Sequence, residues 1–308
     1  MNPKPVYLMY LASWRPFVPE LALVPQITHV SLAFVSPAFF DTSEPPPPET
    51  LDSFFTDIES LPAKFPKGTK ILWALGGWGD TESFRVDLDW EYRGGNGENY
   101  KKPGCTNADK VWGIDAYPEL FAELRAALGP ERTLCAAIPC IPRDMIAFDA
   151  EHLAKVVPHM DFFSLMAYDL INRRDTLTGR RAGKAVVGFA FYLKWFKVLP
   201  IKNHPGPIKT PIGLPTAQME DPVTGDDLVR TSAVVWSDGP CPSLAASLER
   251  AVNDGCSDDY QRVITSWTMR ITYSGHGRHQ RQIVKKYDMV VQPKRLGGAF
   301  AWDLGCDS

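Results

Sequence analysis

The chain lacks several features that would assign it to a class at once. Its 308 residues contain no run of about 18 apolar residues, so no segment reads as a transmembrane helix. Net charge is only -3, which gives no reason to expect nucleic acid or an anionic membrane as a partner. The apolar run from Val6 to Trp14 is too short and wrongly flanked for a secretory leader, so the chain as written is expected to stay inside the cell. Six cysteines (Cys105, Cys135, Cys140, Cys241, Cys256, Cys306) are scattered without C-x-x-C spacing, which points to neither a zinc site nor a disulfide scaffold. A bridge between Cys241 and Cys256 is the one pairing left open. The six histidines (His29, His152, His159, His204, His276, His279) show no metal-ligand spacing. With 44% hydrophobic and 22% charged residues, the chain has the composition of an ordinary globular protein able to bury a large core.

Against this background Val86-Asp87-Leu88-Asp89-Trp90-Glu91-Tyr92 stands out, because it sets three acids at alternate positions in an apolar run. In a strand, Asp87, Asp89 and Glu91 would share one face while Val86, Leu88 and Trp90 pack on the other. Carboxylates so close cannot all ionise, and Glu91, at the C-terminal end of the row, is best placed to keep a proton near neutrality. That describes a general acid. A solvated edge strand, or a magnesium or calcium site built from Asp and Glu, fits the same spacing.

In chain order, short apolar runs alternate with amphipathic segments, the pattern of parallel strands joined by helices. The strands read as Val6 to Tyr10, Thr28 to Phe34, Lys70 to Leu75, Val86 to Trp90, Thr133 to Ile138, Phe162 to Tyr168, Ala185 to Phe191 and Gly298 to Trp302. Helices are expected over Leu51 to Leu61, Ala116 to Leu128, Ala150 to Val157 and Ser243 to Val252, and Pro45 to Pro48 reads as a polyproline loop tip. Eight such strands make a (β/α)8 TIM barrel, in which strand C-termini carry the chemistry. The acids, Tyr168-Asp169 and Trp302 all fall there. Residues 1–308 therefore read as a single domain, in which residues 200–280 form an insertion and helix between the seventh and eighth strands. Pro200 to Ser237, the first part of that stretch, is rich in Pro, Gly and Thr.

The motifs resemble those of the family 18 glycoside hydrolases, the chitinases. Asp87-Leu88-Asp89-Trp90-Glu91-Tyr92 is similar to the second half of the family's D-x-x-D-x-D-x-E signature, and Lys70 to Trp78 resembles its S-x-G-G strand, with Ala74 in place of the serine. Asp161 to Asp169 resembles the M-x-Y-D strand, and Gly297 to Trp302 the last strand with its tryptophan; the runs Tyr168–Asp175 and Gly188–Phe196 look closest to fungal members. The resemblance implies a chitinase that cleaves β-1,4-linked N-acetylglucosamine in chitin or chitooligosaccharides, with retention, through attack by the substrate's own acetamide. Catalytic roles would fall to Glu91, Asp89, Asp87 and Tyr168. Tyr10, Phe34, Gly77, Trp78, Met166, Asp169 and Trp302 would line the sugar cleft, although each aromatic residue could equally be core packing. No metal or cofactor is required, and a monomer is expected. Family members are often secreted, so the resemblance leaves localisation open.

The family pattern is also interrupted. About ten residues separate Leu75 from Val86, too few for the dozen or more of a helical crossover, and Phe84-Arg85 stands where the family has the D-G that begins its signature. Residues 172–183 are polar and arginine-rich, and Ser308 follows the last strand closely. Helices after the third, sixth and eighth strands therefore read as missing, which would expose the outer faces of the third, fourth and sixth strands. Ile271 to Gln280 matches nothing in the family. Skipped exons and a local frame change would account for these departures together. Two functions follow: a chitinase, favoured by the presence of Glu91, or a non-hydrolytic, lectin-like carbohydrate-binding protein, favoured by loss of the first signature Asp.

Overall fold

A computed structural model of the chain describes residues 5–15, 17–35, 60–77, 89, 91, 101, 110–141, 144–169, 174, 188–199, 214–235, 256–258, 263–268, 271–274, 284, 287–294 and 296–307. Alternation along the strands decides where each side chain goes. In β1 (Val6–Ala12), Leu8 and Tyr10 point to one side and Met9 and Leu11 to the other. The same split recurs in β2 (His29–Val35), with Ala33 on the first side and Val30 and Leu32 on the second. One cluster gathers Leu8, Tyr10, Ala33, Ala74, Ala137, Met166 and Phe300 from strands all round the molecule. It is the interior of a barrel.

The strands that form this wall are parallel. β3 (Lys70–Leu75), β2, β1, β12 (Gly298–Trp302) and β6 (Gly188–Ala190) lie side by side in that order, and β4 (Cys135–Ile138) pairs with β5 (Phe162–Leu165). First and last strands are neighbours, with Val6 opposite Gly298 and Met9 opposite Ala301. Beyond β3, Asp89 continues the wall through a parallel bridge to Gly76.

Helices cover the outside where the sequence supplies apolar faces. In α1 (Trp112–Leu128), Ile114, Tyr117, Phe121, Leu124 and Leu128 recur at helical spacing and pack with Val156 of α2 (Ala150–Val156) over Ala136 and Ile138 of β4. α1 begins four residues before the expected Ala116, because Ile114 and Tyr117 extend its buried face and Pro118 is accommodated in its interior. Gly129, at φ 73°, ends it as expected, its N–H bonding Arg125 O. Phe163 and Leu165 of β5 also pack against this layer, which corrects the expectation that the outer face of the sixth strand is bare. Trp73 on β3, in contrast, is 44% exposed.

The region before the last strand holds strands that the sequence reading does not assign. β7 (Tyr192–Lys197), β8 (Thr231–Val235), β9 (Cys256–Asp258), β10 (Val263–Thr268) and β11 (Ile271–Ser274) form a five-stranded antiparallel sheet, ordered β8-β7-β11-β10-β9. Thr231–Val235, within the insertion expected between the seventh and eighth strands, pairs with β7, Tyr192 opposite Val235. Ile271–Ser274, in the stretch unlike the family, pairs with both β7 and β10. Of the expected elements, β3 and β12 keep their bounds, β1 runs two residues further to Ala12, and β5 ends at Leu165. A 3-10 turn (Leu304–Asp307) follows β12. The proline run, the Ser243–Val252 helix, most of the Leu51–Leu61 helix and the segments 78–88 and 175–187 lie outside the described residues.

At the N-terminal end of the barrel His29 is buried against the edge of Phe162, at 5.5 Å, with Thr28 Oγ1 2.8 Å from its Nδ1. Burial and then the Lys70 ammonium lower its pKa. The unfolded chain therefore takes up this proton first, so the stabilisation is complete above about pH 6.5 and is lost as pH falls through the folded-state value. Thermal melts at pH 7.5 and pH 5 should show a smaller acid-induced drop in His29→Gln than in the parent; an equal drop would show that His29 does not contribute.

Candidate active site

The C-terminal end of the barrel brings acids and aromatic rings together. Asp89 is held by its backbone: its N–H donates to Leu75 O at 3.1 Å, and its carbonyl accepts from Gly77 N at 3.1 Å. Its side chain is 6% exposed, and Glu91 is half-buried beside it in sequence. Both carboxylates act on the phenols facing them. Burial first, then the Asp89 charge, holds the Tyr10 pKa well above its usual value, with Glu91 adding to the shift. Tyr168 is raised by burial, then by Tyr10, Asp89 and Glu91. Both phenols therefore stay protonated and available as hydrogen-bond donors at neutral pH.

Trp302, the last residue of β12, is at the centre of an aromatic cluster. Its ring stacks on Phe34 at 5.3 Å and 21°, and meets Tyr10 at 5.3 Å. Tyr168 and Tyr10 both meet the edge or face of Phe300, at 5.9 Å and 6.0 Å, and Met166 is buried in the same cluster. Gly77 is needed at its place: its φ is 105°, and a Cβ there would lie 2.8 Å from the Phe34 ring. Of the expected site residues, Tyr10, Phe34, Gly77, Asp89, Glu91, Met166, Tyr168, Asp169 and Trp302 are described, whereas Asp87 and Trp78 lie outside the described residues.

Asp169 is held by two residues that were not singled out from the sequence. Tyr192 Oη donates to Asp169 Oδ1 at 2.5 Å, and Lys194 Nζ pairs with the same oxygen at 2.7 Å. Tyr192 and Lys194 are two apart on β7, so one face of that strand reaches the barrel mouth. Their shared spacing was the available signal. Trp14, 58% exposed and 6.1 Å from Phe34 and 6.2 Å from Trp302, was also passed over, as the end of an apolar run. Among the described residues no group of three or more His, Cys, Asp or Glu could hold a metal ion, and no helix is long and apolar enough to cross a membrane. Cys135 and Cys306 are free thiols. The Cys241–Cys256 pairing falls outside the described side chains.

The sequence profile of Glycosyl hydrolases family 18 matches residues 85–307. The chain belongs to this family. Mouse chitotriosidase-1 is 28% identical over 210 residues, a match covering 56% of this chain and 43% of that protein, so the chain spans less than half the length of this relative. Solved family 18 folds superpose over nearly the whole chain. The Group IV chitinase of Ostrinia furnacalis gives a TM-score of 0.68 at 15% identity, covering 99% of this chain and 94% of its own. The chitinase of Rhizomucor miehei gives 0.66 at 19% identity, covering 98% and 96%. A Cycas revoluta family 18 chitinase solved with (GlcNAc)4 gives 0.61 at 16% identity, covering 98% and 96%. The fold is the TIM barrel of these glycosidases.

Proposed function

We propose that this family 18 glycosidase hydrolyses β-1,4-linked N-acetylglucosamine in chitin and chitooligosaccharides by a retaining, substrate-assisted mechanism. The observation that carries this reading is the convergence of Asp89 and Glu91 with Tyr10, Tyr168 and the Trp302 floor at one end of the barrel. Acids stacked along one strand cannot flank a sugar ring from opposite faces, so a second protein carboxylate is badly placed to attack the anomeric carbon. The acetamide carbonyl oxygen of the bound sugar attacks instead. As the glycosidic bond breaks, Glu91 gives its proton to the leaving oxygen, and a cyclic oxazolinium forms. Water then attacks the same carbon while Glu91 takes a proton back, so the configuration is retained. Asp89 orients the acetamide N–H and offsets its developing positive charge, Tyr168 hydrogen-bonds the acetamide oxygen, and Asp87 shares a proton with Asp89. Trp302 stacks beneath the sugar, with Tyr10, Phe34, Gly77, Trp78 and Met166 lining the cleft. Asp169 binds a sugar hydroxyl.

The interrupted family pattern belongs to the same reading. The family match begins at residue 85, where the sequence lacks the first half of the signature, in keeping with a segment missing before Val86. Incubation with the N-acetylglucosamine hexamer should give shorter oligomers by mass spectrometry. An intact hexamer that nonetheless binds would favour the lectin-like function. Because the acids are assigned to proton chemistry, EDTA should leave turnover unchanged. Activity lost to EDTA and restored by magnesium would assign the acids to a metal instead.

A further inference from the structure

The first and last strands run side by side, and each leads into a tryptophan followed at once by a charged residue: Trp14-Arg15 just beyond β1, and Trp302-Asp303 at the end of β12. Asp303 is only 1% exposed. Its Oδ1 accepts from Gly305 N at 2.9 Å, and its Oδ2 accepts from Cys306 Sγ at 3.1 Å and from Arg15 Nη1 at 3.5 Å. Arg15 Nη1 is also 3.4 Å from Cys306 Sγ. Burial, with the Asp303 carboxylate contributing, pushes the Cys306 thiol up to about 12, so it remains a donor to that carboxylate. Gly305 makes room for the arrangement: a Cβ there would lie 2.5 Å from Arg15 Cγ and 2.8 Å from Arg15 Cδ and the Arg15 carbonyl. Arg15 thus lies across the turn that follows Trp302.

We propose that Arg15 and Asp303 latch the ends of the first and last strands together and thereby set the spacing of the Trp14 and Trp302 rings, which makes both charged groups positioning residues for sugar binding. The rings meet at 6.2 Å, and Phe34 touches both. Neither Arg15 nor Asp303 needs to touch substrate. Arg15→Met leaves the buried Asp303 carboxylate without its cation, and the turn is free to shift. Gly305→Ala reaches the same end by forcing the turn away from Arg15, whose side chain and carbonyl the added methyl would strike. The importance of ring spacing for sugar affinity rests on the proposed chitin-binding function, whereas the latch itself does not.

The test uses the full chain labelled with 5-fluorotryptophan, with the Trp14 and Trp302 fluorine resonances assigned from Trp14→Phe and Trp302→Phe. In Arg15→Met and Gly305→Ala, those two resonances should move while the other tryptophans keep theirs, and Arg15→Lys should return them toward the parent positions. Titration with chitotetraose should show affinity weakened by about tenfold in the first two variants and largely recovered in Arg15→Lys, a loss of about 1.4 kcal/mol. A pair that only stabilises the fold would lower the melting temperature without moving either resonance, and that result overturns the latch. Resonances that move with unchanged sugar affinity overturn the positioning role. If the parent chain binds no chitotetraose, the chitin-binding function fails and the resonances alone decide the latch. Should Arg15→Met not fold, Gly305→Ala and Arg15→Lys carry the comparison.

Discussion

Glu91→Gln is expected to lower turnover of chitooligosaccharides by about 10²–10⁴ or more while leaving their binding measurable, because the substitution keeps the shape of the side chain and removes its transferable proton. The proposed stacking surface lies elsewhere: the Trp302 ring meets those of Phe34 and Tyr10, contacts that do not involve the Glu91 carboxyl. The Glu91 charge contributes to raising the Tyr10, Tyr168 and Tyr192 phenols, so the carboxyl lies within electrostatic reach of the cleft wall. Initial rates with a chromogenic oligomer, alongside calorimetric titration, would separate the two effects. Wild-type turnover in Glu91→Gln would assign the acid to another residue.

Phe121→Ala should destabilise the domain by about 3–5 kcal/mol, the cost of emptying a fully buried aromatic site. The ring is 0% exposed and meets Tyr117 edge-on at 4.5 Å, within the cluster that joins α1 and α2 to β4. Against a net domain stability of about 5–15 kcal/mol, that is a large share. Leu23→Ala, by comparison, should stay within about 0.5 kcal/mol, because Leu23 is 75% exposed. Urea denaturation of both variants reads the difference directly. A loss of less than about 1 kcal/mol at Phe121 would mean that this layer does not hold the barrel together.

What the sequence revealed follows the range of the forces involved. Lys70–Leu75 and Gly298–Trp302 were legible to the residue, since local alternation and flanking turn residues define a buried strand. The antiparallel sheet was not. Tyr192–Lys197 finds its partners in Thr231–Val235 and Ile271–Ser274, far along the chain, and a pairing register at that distance leaves no local periodicity. The β-branched run at Thr231–Val235 was the local clue, obscured by the Pro- and Gly-rich residues before it. At the site, the acids were visible because alternate spacing in an apolar run would put them on one face of a strand. The partners of Asp169 were not, because Tyr192 reaches it from another strand, 23 residues on. Arg15 and Asp303, 288 residues apart, meet only because the barrel brings its ends together. The covering of Phe163 and Leu165 by the α1–α2 layer was missed for a related reason: counting crossovers predicts which helices exist, not how far a neighbouring helix pair extends over the next strand.

The proposed cleavage of chitin through the substrate's own acetamide, with Glu91 as acid and base, is tested most directly by the anomeric form of the first product. Proton NMR of N-acetylglucosamine hexamer hydrolysis, followed from the first minutes, should show the β-anomer at the new reducing end before mutarotation equilibrates it. Initial release of the α-anomer would contradict the account, since inversion requires direct attack by water on the opposite face of the sugar.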